Sequence, residues 1–241
     1  MSATGPSTDQ ALLRIVAAPK PDTIDAVIGR MELLDASLPR FDGLKWFNWL
    51  YLLVTESVKN GAPAAGWQDP AWLTRLDVVF ANLYFDAIES ALTGGATARS
   101  WQALFEARHK PGIDRIQFAL AGMNAHINHD LSLALLQTDD EFDIVPGKTS
   151  REHDDFEQVN QLLGSLIPQA LNKLATGIVG EVVQDTGKIG RLTALWDVKA
   201  ARDLAWDFAD HLRNLNGLVR DFALTAQDRL TGALGRSLLA I

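Results

Sequence analysis

The sequence predicts an all-α fold: a single-domain, multi-helix bundle with two largely buried central helices. Three observations predict it. Apolar residues recur at three- and four-residue spacing in nearly every segment after residue 20. Capping residues, prolines and glycines stand where those segments begin and end. No alternating strand pattern occurs; Val78-Val79 and Ile178-Val179 are β-branched pairs inside helical periodicity, too short to overturn it. The 241 residues, 47% of them hydrophobic, can bury a core without covalent staples. No Pro/Gly/Ser-rich linker divides the interior. The expected organisation is a disordered tail over 1–8 and one helical domain over 9–241.

Each element follows from local signals. A first helix is expected over 22–37, capped by Asp22 and stopped by Pro39. The second, over 42–60, carries the bulky stretch from Trp46 to Val54, apolar on nearly every side and therefore buried. Asp69-Pro70 opens a third in the preferred order, cap then proline, and Gly94-Gly95 closes it. A short helix over 100–108 precedes Pro111-Gly112, and a long one over 113–137 is again apolar around most of its circumference. Residues 138–148 read as an acidic loop. Thr149-Ser-Arg-Glu152 is a capping-box pattern opening a helix that Pro168 should kink or interrupt. After a turn at Asp185-Thr-Gly187, two or three more helices are expected. The clearest covers 197–215, with Ala201, Leu204, Phe208, Leu212 and Leu215 on one face.

Composition removes several functions. The chain has no cysteine, which excludes disulfides, a thiolate nucleophile and sulfur-bound zinc. A net charge of -8 and a pI near 5.1 repel phosphate backbones and anionic membrane surfaces, so neither nucleic acid nor membrane is an expected partner. The first ten residues lack the pattern of a signal peptide, and no apolar run approaches the roughly 20 residues of a membrane span. A cytoplasmic protein is expected; homo-oligomerisation is left open.

Polar residues in apolar positions locate the candidate site. In the third helix Leu73, Phe80, Tyr84, Ile88 and Leu92 form the apolar face, and Asp77 falls within it. A carboxylate placed inward must be paired, protonated or metal-bound, and the bland reading is a structural ion pair. In the long helix, His126 and Asp130 are four apart on one edge of the face made by Ile116, Leu120, Met123, Ile127 and Leu131. A carboxylate on one imidazole nitrogen fixes the tautomer and raises the basicity of the other, which suits a general acid/base; the bland alternative is a hydrogen-bonded core histidine. Asn124 and Asn128 line the opposite edge. His153 and Asn160, seven apart on the next helix, could add to the same site. No nucleophile elbow, phosphate loop, dinucleotide fingerprint or His-Glu-x-x-His motif occurs.

Several stretches together resemble a known family: Trp46-Phe-Asn-Trp-Leu-Tyr51 with Val54-Thr55, residues 76–85, residues 101–105, and the segment from Gln117 to Asn128 with Asp130-Leu131. The Asn-Ala-His-Ile-Asn-x-Asp-Leu core is its distinctive part. This family of bacterial proteins of similar length is named as a domain of unknown function. The resemblance covers most of residues 40–165 and implies a mostly helical bacterial protein, with no reaction attached. His129 stands at the variable position of the core.

Three functions remain. The leading expectation is an enzyme without cofactor acting on a small apolar molecule by cyclisation, isomerisation, elimination or hydrolysis. In it His126 is the acid/base, Asp130 orients it, Asp77 is a second carboxylate, and Asn48, Asn124, Asn128, Tyr84 and Asn160 bind the substrate. The second is a hydrolase in which His126, Asp130, Asp77 and His153 hold zinc, manganese or iron. The third is a ligand-binding or scaffold protein whose buried polar groups satisfy one another.

Overall fold

A computed structural model describes residues 6–176 and 197–240. Within them the chain is helical with no strand: α1 (Pro6–Val16), α2 (Ile24–Ser37), α3 (Gly43–Asn60), α4 (Pro70–Thr93), α5 (Arg99–Ala107), α6 (Arg115–Ala125), a π-helical turn (His126–Asp130), α7 (Leu131–Phe142), α8 (Arg151–Thr176), α9 (Val198–Arg213) and α10 (Gly217–Ala240). The all-α multi-helix expectation holds.

Local chemistry sets most of the ends. The Asp42 side chain accepts from Leu44 N and opens α3; Asp69 accepts from Trp72 N, with Pro70 in the first turn of α4. Gly94 ends α4 in the left-handed conformation (φ 72°), which favours glycine. Asp197 accepts from Ala200 N at the start of α9. Four readings need correction. Thr23, not Asp22, caps α2. The helix α1 begins at Pro6, inside the stretch read as a tail, and is held by the fully buried Leu12 and by Val16. The cap of α8 is Ser150, whose hydroxyl accepts from His153 N, and that helix continues through Pro168. The acidic loop is shorter than expected, because α7 runs on to Phe142. Its carboxylates have distant partners: Asp139 accepts from the Trp72 indole and from Arg213, and Glu141 pairs with Arg75. The turn at Asp185-Thr-Gly187 lies outside the described residues.

The core forms where α3 and α6 cross. Every residue of α6 from Ile116 to Ala125 is buried. Two glycines allow the approach reciprocally: a Cβ on Gly43 would stand 2.3 Å from the Phe118 ring, and one on Gly122 would stand 2.3 Å from the Phe47 ring. Helix α4 packs against α7, and α10 lies across α5 and α6. Two charged clusters tie this frame together. Arg108 Nη2 donates to Asp42 Oδ2 at 2.5 Å and to Asp9 at 2.9 Å, fastening α1 and α3 to the end of α5. The buried Asp155 accepts from the backbone of Gln68 and Asp69 and so fixes the loop before α4 to α8.

Candidate functional site

The long helix expected over 113–137 is broken in register by a π turn: Leu131 N donates to His126 O, five residues back. Such bulges widen a helix by one residue and recur at functional sites. This one contains both His126 and Asp130, residues only 2% and 4% exposed.

Three helices enclose the imidazole. Phe80 of α4 stacks on it, centroids 3.5 Å apart and planes within 4°; Tyr51 of α3 presents an edge at 4.5 Å. Phe47 of α3, Tyr84 of α4 and Trp101 of α5 close the cage at 5.7–6.1 Å. His126 Nδ1 lies 2.9 Å from Asp130 Oδ2, and the Trp101 indole N–H donates to the same oxygen at 2.9 Å. Indole is a donor only, so Oδ2 is an acceptor there. With the carboxylate ionised, Nδ1–H donates to Oδ2 as well, which leaves Nε2 with its lone pair. That nitrogen is buried and has no hydrogen-bond partner among the described residues.

The His126 ring is part of the wall of a cavity of about 40 Å³. The other walls are apolar, among them Leu50, Phe80, Met123 and Ile167, with one cation, Arg202 of α9. The arginine is 6% exposed, lies over the Phe156 ring at 4.3 Å, and donates from Nε to Asn160 Oδ1 at 2.5 Å. Asn160 in turn donates to Asp203 and Glu157, so this amide aims the guanidinium.

Burial and the Arg202 charge both hold the His126 imidazole well below its ordinary pKa, so it is neutral. Burial pushes the Asp130 carboxyl up to about 7, opposed by His129 and by the Trp101 hydrogen bond. Asp77 is likewise pushed up to about 7 by burial, with Arg202 pulling the other way; its side chain keeps some surface accessible, as at the edge of a crevice. The Tyr51 phenol is raised well above its usual value by burial and then by Asp77, and so remains protonated. Burial lowers Arg202 to about 10, still a cation at neutral pH.

The structure thus brings together His126 and Asp130, with Asp77 coupled electrostatically to the same cavity through Arg202 and Tyr51. Of the five residues expected to bind substrate, Tyr84 helps close the cage around the imidazole, and the four asparagines are engaged with other protein groups. Asn48 donates to Met31 O and accepts from Tyr84 OH at 3.2 Å. Asn124 donates to Thr231 O, and Asn128 donates to Asn124 Oδ1, both facing α10. Asn160 supports Arg202. None of the five lines the cavity. His153 packs edge-on against Trp206 at 4.7 Å, and among the described residues no three His, Asp or Glu side chains are grouped to hold a metal ion.

Sequence reasoning missed Arg202. It followed Ala201, Leu204 and Phe208, yet Leu204 is 67% exposed. The buried stripe is Val198, Arg202, Ala205, Ala209 and Leu212, spaced four, three, four, three, and a single arginine inside so regular an apolar stripe was the available signal.

A comparison with family models matches residues 24–241. The chain belongs to the family of unknown function DUF5995. The match extends the earlier resemblance through the C-terminal helices that carry Arg202. No curated protein and no solved structure matches the chain. No helix among the described residues is long and apolar enough to cross a membrane.

Proposed function

We propose that this protein is an acid–base enzyme that moves a proton on a small, largely apolar molecule, with His126 as the base. One observation carries the reading: Nδ1 is pinned to Asp130 while Nε2, equally buried, has no partner among the described residues, in a ring that lines a cavity. A purely structural core histidine would have both nitrogens satisfied, because an orphaned buried polar atom costs about 1–3 kcal/mol. Here that cost falls on the atom a substrate would meet. A neutral imidazole oriented by a carboxylate can accept a proton at Nε2, and Asp130 stabilises the imidazolium that forms. Arg202 supplies positive charge where negative charge develops, in a cavity walled mainly by apolar side chains. Residues with these roles require no redox chemistry.

His126→Gln tests it, since glutamine keeps hydrogen-bonding capacity and similar size but is no base. The assay is exchange of solvent deuterium into a panel of small carbonyl compounds and acids, followed by proton NMR. Wild type should label one class, and the variant should lose roughly 10²- to 10⁴-fold while melting near the wild-type temperature. Equal labelling by both proteins, or a strongly lowered melting temperature for the variant, would assign His126 to the scaffold.

A further inference from the structure

The cavity holds a second group without a counterpart. Arg202 is buried, yet its one hydrogen bond among the described residues goes to a neutral amide, Asn160, and it forms no salt bridge there. Two of the acidic side chains that act on it are otherwise engaged: Asp203 and Glu157 both take Lys199, at 3.0 and 2.7 Å. Asp77 feels the guanidinium through space without an ion pair between them. Arg108, also buried, is held differently, with its fork on Asp42. A buried cation without a contacting anion is costly, and a planar guanidinium matches a carboxylate.

We propose that the cavity binds a short-chain monocarboxylate, its carboxylate on Arg202 and its carbon chain against the Phe80, Leu50 and Met123 walls, within reach of His126. The proposal rests on the acid–base reading for its chemistry but not for its binding. Size follows from the volume. About 40 Å³ is available, and a water needs roughly 10–15 Å³ on the same measure, so about three or four heavy atoms fit. Acetate, with four heavy atoms, fills that space, and propionate, with five, tests its upper limit. Phosphate esters and dicarboxylates bring more charge than one arginine offsets.

Propionate and its neutral isostere propionamide are the probes, measured by calorimetry and ligand-observed NMR on the full chain. Wild type should prefer propionate. Arg202→Gln should abolish that preference and weaken propionate roughly 10- to 100-fold. Asp77→Asn should tighten propionate, since it removes a nearby negative charge, and His126→Gln should change its affinity by only a few-fold. Equal affinities for acid and amide, or an Arg202→Gln protein that binds propionate as wild type does, overturns the proposal. Should Arg202→Gln fail to fold, the acid–amide preference of wild type and its increase in Asp77→Asn decide the matter. Binding that depends on Arg202 alongside deuterium exchange that ignores His126 would retain the ligand class and reject the base.

Discussion

Titration of Asp77 links the site to stability in a measurable way. Its folded-state carboxyl lies at about 7 against 3.8 for an ordinary aspartate, so between those values the folded chain holds a proton that the unfolded chain has released. Stability therefore falls as pH rises through this window, with a slope of about 1.4 kcal/mol per pH unit per group, and roughly 4 kcal/mol is lost by the time both states are ionised. The side chain is partly accessible, so solvent screening reduces this figure toward half. Asp130 adds a slope of the same sign over the same window. Glu141, held down at about 2 by Arg75, acts oppositely but only below its unfolded value of 4.5. Asp77→Asn removes the first contribution and leaves the others. Urea unfolding of wild type and variant at intervals from pH 4.5 to 7.5, bracketing the interval these values define, should show the variant gaining stability on wild type as pH rises. Parallel curves would mean that Asp77 is solvated like a surface carboxylate, and its place in the site would be lost.

Other substitutions probe the walls and supports. Gly122→Ala places a methyl 2.3 Å from the Phe47 ring, so it should cost about 1–3 kcal/mol in chemical denaturation and disturb the edge that Phe47 presents to His126. Trp101→Phe removes the indole donor from Asp130 Oδ2; stability should drop by about 1–2 kcal/mol and the Asp130 titration should move upward, visible as a shifted pH–stability profile. Asp155→Ala orphans the Gln68 and Asp69 amides and should cost about 1–3 kcal/mol, with faster amide exchange in the loop before α4.

What could be read from the sequence was local. Asp42, Asp69-Pro70, Gly94 and Asp197 mark helix ends because each acts on backbone within a few residues. His126 and Asp130 were visible because an i,i+4 pair on one edge needs no tertiary information. Two failures are one-residue shifts of a cap, to Thr23 and Ser150, and the rest are long-range. The acidic end of α7 stays helical because Trp72, Arg75 and Arg213, far away in the chain, neutralise or bond its carboxylates. The asparagines looked like ligand-binding groups, but Asn48 and Asn124 answer backbone carbonyls on α2 and α10. The π turn keeps the same residues within hydrophobic periodicity, so composition does not betray it. Helix α1 offered too few apolar residues to stand out, and its burial depends on α2 and α4.

The central claim is that His126 is a neutral base whose Nε2 has no protein partner among the described residues. Long-range proton–nitrogen correlation spectra of isotope-labelled protein test it most directly, with His126→Gln assigning the signal. Above about pH 7, where Asp130 is ionised, the account predicts one protonated nitrogen, Nδ1, and an unprotonated Nε2 carrying no exchangeable proton. Addition of propionate should shift the Nε2 resonance and leave Nδ1 bonded. An imidazolium at this pH, or a neutral ring with its proton on Nε2, would contradict the account.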